Sequence, residues 1–272
     1  MNQNTSTDIE ATLAYLINTG EAIHYEVAGP TKISEKNADV DNRRVLIRDG
    51  RHPRYQFALD EHGFKFFSHT STLDDFSDTA AVREFYYPET EALVLAHTGA
   101  SRAVTFDHTI RHGDQNTRNE RQVREPVFGV HNDYTDWSAP KRVHDILPDE
   151  ADDLLRRRFA IVQLWRPIRD VVRSHPLAIA DARSIDDKDL IPVQRRSAER
   201  VGETYSLSYS AKHLWYYFPH MAPNEALIFK VFDSAQQGAR FTAHTAFDDP
   251  TTAADAPARQ SIEMRLLVFY DA

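Results

Sequence analysis

The chain has 272 residues, 41% of them hydrophobic, so it can bury one sizeable core or a core with a small extension. A formal charge of −9 gives no basic field able to hold a phosphate backbone, which argues against nucleic acid as a partner. With no cysteine, disulfides, thiolate nucleophiles and Cys-ligated metal centres are excluded, leaving histidine and carboxylates as ligands.

In chain order, Asp8–Asn18 has apolar residues Ile9, Leu13, Leu16 and Ile17 at helical spacing, so a helix is expected there. The first twenty residues lack the basic start and apolar run of a secretory signal, and no stretch approaches the roughly 18 apolar residues of a membrane span. The expectation is a cytoplasmic protein with no membrane contact. Arg43–Arg48 and Tyr55–Leu59 read as strands, and Asp60-Glu61-His62-Gly63 as a turn into Phe64–Phe67. A helix over Thr79–His97 follows, restarted at Pro88 and stopped by Gly99. Residues 101–107 read as a strand and the polar stretch 111–125 as an exposed loop.

After that loop, apolar runs recur at Val127–Asp133, Ala160–Trp165, Leu177–Ala180, Thr204–Tyr209, Leu214–Phe218, Ala226–Phe232, Arg240–His244 and Ser261–Tyr270. Pro148–Arg158, acidic early and basic late, reads as a helix outside them. The expected fold is mainly β with flanking helices around a double-sheet jelly-roll core. One domain is expected over 1–272, with 1–110 supporting a core at 126–272.

In Val127–Asp133 the apolar run ends at His131 and Asp133, which strand alternation turns to one face. Two histidines and a carboxylate would leave three metal positions open, the arrangement of iron(II) oxygenases. His112-Gly113-Asp114 repeats the His-x-Asp spacing but lies in the polar loop. The plainer reading of His131 and Asp133 is a hydrogen-bonded pair at a strand end. Downstream, His244 stands in a short run, and Arg259 and Ser261 alternate onto one face. A guanidinium with a neighbouring hydroxyl suits a carboxylate such as the distal one of 2-oxoglutarate. Arg265 shares that face and rivals Arg259, while either arginine could instead pair with Glu263. A second Arg-x-Ser at Arg195-Arg196-Ser197 is set aside, having no preceding strand in this reading and no histidine close upstream.

The blocks HGFKFF, YYPETEAL, TGASRAVTFDHTIR, VHNDYT, LWRPI, PLAIADARS, HLWYYFPHM, EALIFKVFDS, FTAHTAFDDP and SIEMRLLVFYD, from about residue 10 to 271, resemble one bacterial and fungal oxygenase family. It is the CmcJ/AsaB-like family, typified by a cephamycin methoxylation protein, a fungal hydroxylase/desaturase and gibberellin desaturases. The resemblance implies a double-stranded β-helix with Fe(II) and 2-oxoglutarate, metal on His131, Asp133 and His244, and co-substrate on Arg259 and Ser261. It also leads to an expectation of Asn where Gln163 stands. The implied reaction consumes dioxygen and hydroxylates or desaturates a small, partly apolar metabolite, in secondary metabolism at the level of the family. Tyr134, Trp137, Trp165, Arg166 and Tyr217 are candidate substrate contacts, against the plain alternative that such aromatics fill the core. Two other readings stay open: a zinc or manganese hydrolase or isomerase on the same barrel, and an accessory protein that assists a partner enzyme. Homo-oligomerisation is equally open.

Overall fold

The computed structural model describes residues 8–27, 33–36, 38–197 and 201–271. It contains two sheets. One has ten strands: β1 (Ile9–Leu16), β2 (Ile23–Val27), β3 (Ile33–Lys36), β4 (Val40–Asp49), β7 (His131–Asn132), β9 (Leu177–Ala180), β10 (Leu190–Arg196), β11 (Val201–Leu207), β12 (Trp215–Tyr217) and β14 (His244–Ala246). Its order is β1-β4-β12-β9-β14-β7-β11-β10-β2-β3. The other runs β5 (Phe64–Ser68), β13 (Glu225–Asp233), β8 (Phe159–Pro167), β15 (Gln260–Phe269) and β6 (Arg102–His112). From β7 onward the chain repeatedly crosses between the sheets, as the expected double-stranded β-helix requires.

Strand alternation sorts β8, β13 and β15 into two layers. Ile161, Trp165, Leu227, Phe229, Val231, Leu267 and Phe269 face the other sheet and build the core between them. Ala160, Val162, Leu164, Ile228, Ile262, Met264, Leu266 and Val268 face outward under a helix that buries Val82, Tyr86 and Val94. These strands are therefore buried on both faces, which explains why they read as continuous apolar runs.

That covering helix runs as α2 (Thr79–Ala81), a π turn (Val82–Tyr86) and α3 (Tyr87–Thr98), after the short α1 (Leu59–His62). The Asp78 carboxylate caps it by accepting from the Ala80 and Ala81 amides, and Gly99 ends it at φ 67°. Pro88 stands in the first turn of α3, as expected, because its missing N–H costs nothing there.

Several expectations fail for tertiary reasons. Asp8–Asn18 is not helical: Ile9–Leu16 pairs antiparallel with β4, burying Ala11, Leu13 and Tyr15 at period two. Tyr55–Leu59 is not a strand; Tyr55 and Phe57 pack their rings on Tyr216, with centroids 5.0 and 4.9 Å away. The 111–125 stretch holds α4 (Gln115–Arg121), N-capped by Asp114. Pro148–Arg158 is helical only over α6 (Ala151–Leu154), because Arg158 must already meet Asp233 beside β8, at 2.7 Å. The true helix there, α5 (Ser138–Ile146), buries Ala139 and Val143. Arg195 does have a strand before it, since β10 pairs with β11 throughout. Among the described residues no helix is long and apolar enough to cross a membrane.

Candidate metal centre

In the ten-stranded sheet β14 pairs with β7, and the register sets His244 directly opposite His131. Their rings lie 4.4 Å apart between centroids. Asp133, two residues past His131, completes the cluster: one ligand atom from each of the three side chains lies within 4.8 Å of the others. His112, by contrast, ends β6 and accepts the Asp114 amide at 3.0 Å, so the second His-x-Asp forms its own turn.

Each donor is prepared. His131 Nδ1 sits 2.7 Å from the Gly129 carbonyl, which only accepts, so Nδ1 carries the hydrogen and Nε2 presents its lone pair. That Nε2 lies 3.4 Å from Asp133 Oδ1, close enough for a metal ion, or in the metal-free protein a proton on Nε2, to join the two. The other oxygen, Oδ2, accepts from Arg265 Nε at 2.9 Å and from Gln163 Nε2 at 2.5 Å. Burial would push the Asp133 carboxyl up, but Arg265, and in the metal-free protein a hydrogen bond from protonated His131, outweigh it and hold it well below the usual carboxylate range. Burial, then repulsion from His131, pushes the His244 imidazole down to about 3, so it stays neutral and able to ligate. These residues fit a divalent metal with N and O donors.

The five-stranded sheet supplies the opposite wall. Ser261, Glu263 and Arg265 alternate onto the inner face of β15, where Glu263 pairs with Trp165 and Arg265 with Gln163 on β8. His131, Asp133, His244, Gln163, Trp165, Phe229 and Arg259 line one narrow cleft of about 20 Å³. Arg259 is buried there, its guanidinium carbon 5.5 Å from the Trp165 ring centroid. Nη1 donates to the His175 carbonyl at 2.5 Å, while Nε and the neighbouring Ser261 Oγ are buried without a partner. Burial, with Arg111 beside it, pushes the Arg259 guanidinium down to about 9. A buried guanidinium with a free Nε–H and a buried hydroxyl without a partner are incomplete, and a carboxylate would complete them.

Arg265 is occupied differently from its rival. It holds Asp133, Glu263 and Asp107, the last at 3.2 Å, and Glu263 in turn accepts Arg111 at 2.8 and 2.9 Å. The pairing of an arginine with Glu263 thus falls on Arg265.

Of the aromatic and arginine candidates, Trp165 lines the cleft and Tyr134 lines a larger cavity beside it. Arg166 points to the other face of β8 and donates to the His69 and Pro223 carbonyls. Tyr217 packs on Phe247 in the outer layer, and Trp137, half exposed, precedes α5; neither lines these two cavities. Gln163, noted in the sequence only as a departure from the family's Asn, supports Asp133, while Glu263 and Arg111 are site residues the sequence reading does not propose. The alternation of Ser261, Glu263 and Arg265 was the available signal for Glu263, but nothing local marks Arg111 or Gln163.

A family model described as an oxidoreductase/YMDC permease-like domain matches residues 13–269. The chain is 32% identical over 262 residues to the Fe(II)/2-oxoglutarate-dependent dioxygenase nvfI of Aspergillus novofumigatus, covering 92% of each. It is 32% identical to the hydroxylase/desaturase asaB of Aspergillus flavus, covering 85% of this chain and 82% of that one. The solved structure of the iron and alpha-ketoglutarate-dependent endoperoxidase NvfI superposes with a TM-score of 0.86 at 30% identity, covering 97% and 99%. This chain belongs to the Fe(II)/2-oxoglutarate-dependent hydroxylase and desaturase family. As a member of that family it is a dioxygenase, and the implied jelly-roll fold is the one observed.

Proposed function

We propose that His131, Asp133 and His244 hold iron(II), that Arg259 and Ser261 hold the distal carboxylate of 2-oxoglutarate, and that the enzyme oxidises a C–H bond of a small, partly apolar metabolite. The observation that carries this is one cleft lined by three convergent donors and by the buried Arg259, whose Nε has no partner, with the unpartnered Ser261 Oγ two residues further on, in β15. Bound there, iron(II) and 2-oxoglutarate supply dioxygen activation, with succinate and carbon dioxide as co-products.

The chain's own residues position and exclude. Arg265 and Gln163 hold Asp133 by Oδ2 and leave Oδ1 toward His131. The Gly129 carbonyl fixes the His131 tautomer, and burial keeps His244 unprotonated. Trp165 and Phe229, both buried, keep water from the cleft. Hydroxylation and desaturation are both within its reach, since placement of the substrate decides between them. The same reading puts the enzyme in secondary metabolism and, because iron(II) needs reducing surroundings, in the cytoplasm. The Arg259 and Ser261 pair has no task in a zinc hydrolase, and the complete donor set disfavours a purely accessory role. The two sheets support one oxygenase unit along the whole chain.

The test is turnover without added substrate. Purified protein given iron(II), 2-oxoglutarate and oxygen is expected to form succinate, and Asp133→Ala is expected to abolish it. Absence of succinate at saturating iron and 2-oxoglutarate would count against the assignment.

A further inference from the structure

Beside the metal cluster lies a cavity of about 580 Å³ whose walls include both His131 and Asp133. That volume suits a drug-sized molecule. Although the chain is acidic overall, five arginines line it: Arg111, Arg124, Arg142, Arg195 and Arg265. Arg111 and Arg265 are answered by Glu263, Asp107 and Asp133. Among the described residues Arg124 and Arg195 form no ion pair, and Arg124 feels only a weaker attraction to Asp107, which Arg265 already holds. Among the described residues Arg142 has only the Tyr134 hydroxyl at 3.4 Å and the Phe106 ring at 5.0 Å. Glu203, a further carboxylate on that wall, accepts from Thr135 Oγ1 at 2.6 Å.

These cations are held together rather than scattered. Arg124 is pinned by its backbone to β6, since its amide donates to the Ile110 carbonyl and its carbonyl accepts the His112 amide, at 3.2 and 2.9 Å. Partial desolvation in the cavity wall first, and then Arg111, Arg265 and Arg195, pull the guanidinium of this otherwise exposed side chain below the usual range against a weaker pull from Asp107, so these like charges face one another.

Two glycines on the same wall are a second, independent observation. Gly129 and Gly202 have ordinary φ, and a Cβ at either would meet no protein atom within 4 Å. Neither the backbone nor packing demands glycine there. Gly202 stands opposite Arg195 in the β10–β11 register, leaving open space next to that guanidinium. Absence of a side chain lets another molecule approach the backbone.

We infer that this cavity takes an organic oxyanion, a substrate whose carboxylate, phosphate or sulfate group is held by Arg124 and Arg195 while its apolar body lies over Gly202 and Val127 toward the metal cluster. Guanidinium forks suit any of these planar or tetrahedral anions. The inference rests on the oxygenase reading for the name of substrate, but its test reads the wall and not turnover.

The probes are 8-anilinonaphthalene-1-sulfonate and N-phenyl-1-naphthylamine, which share their rings and differ by the sulfonate. Both are titrated by fluorescence into the anaerobic protein, with and without iron(II) and 2-oxoglutarate. The sulfonate is expected to bind about tenfold or more tightly than the neutral probe. Arg124→Gln with Arg195→Gln, both exposed positions, should remove that preference and leave the neutral probe unchanged. Gly202→Val should weaken both probes. Displacement of the sulfonate by octanoate or octyl phosphate, but not octanol, supports the inference, and the stronger competitor identifies the anion. Equal binding of the two probes, an unchanged preference in the double variant, or displacement by 2-oxoglutarate would overturn it. A kept preference in protein that makes no succinate would sink the oxygenase reading alone.

Discussion

Arg265 Nε donates to Asp133 Oδ2 at 2.9 Å, so a cation on β15 of one sheet grips a carboxylate carried just past β7 of the other. Gln163 reaches the same oxygen, leaving Oδ1 to face His131. Groups that orient a ligand in this way typically contribute 10–100-fold in metal affinity. Arg265→Met is therefore expected to weaken iron(II) binding by about that factor, and Arg265→Lys to recover part of it. Iron(II) titration under argon measures both, and unchanged affinity in Arg265→Met would remove the positioning role.

Arg259 and Ser261 should divide the hold on 2-oxoglutarate unequally. A hydrogen bond to a charged group contributes about 1.5–3 kcal/mol, and Arg259 brings a full charge with several N–H donors where Ser261 brings one hydroxyl. Arg259→Ala should raise the KM for 2-oxoglutarate by about 100-fold, and Ser261→Ala by about tenfold. Steady-state succinate formation across 2-oxoglutarate concentrations reads both, and a KM unmoved in Arg259→Ala would shift the clamp elsewhere.

The metal-free protein should lose stability as pH falls below about 6.5. His244 is held down to about 3 when folded, by burial and then by His131, whereas the unfolded chain takes its proton near pH 6.5. Below that value the unfolded state binds a proton the folded state refuses, so stability declines as pH drops from about 6.5 toward 3. Thermal melts of the apo protein between about pH 6.5 and 4.5, above the ordinary carboxylate range, should show this slope. His69, His97, His108, His112, His175 and His213 are also pushed down by burial and add to the slope, so His244→Gln should reduce it and not remove it; an equal slope in the variant would assign it to those groups.

Glu263 is the shared counter-charge of Arg111 and Arg265. Burial would raise its carboxyl, but the two arginines outweigh that and bring it to about 2. Glu263→Gln leaves two buried guanidiniums short of charge and should cost about 3–5 kcal/mol. Adding Arg111→Met should return part of the loss, a coupling that a denaturation cycle measures. Strict additivity of the two changes would argue against the pairing.

The ligand cluster was legible because its parts lie at the ends of apolar runs, where chain order and alternation already imply a shared face. The same alternation is what puts forward Arg259 and Ser261 as the proposed clamp. Gln163 and Arg111 were not, because their roles arise from side chains brought together across the fold, with Asp133 and Glu263 lying 30 and 152 residues away in the chain. The first strand was misread since Ile9, Leu13 and Leu16 satisfy a helical period as well as Ala11, Leu13 and Tyr15 satisfy a strand, and pairing with β4 decides between them. Ser138–Ile146 went unread as a helix, with Pro140 in its first turn and only a narrow apolar stripe.

The most direct test of the central claim is anaerobic titration of the apo protein with iron(II) and 2-oxoglutarate, following the weak visible charge-transfer band of their chelate. The band is expected in the wild type and should weaken in both His244→Ala and Arg259→Ala. Its absence from the wild type at saturation would contradict the assignment of this cleft to iron and 2-oxoglutarate.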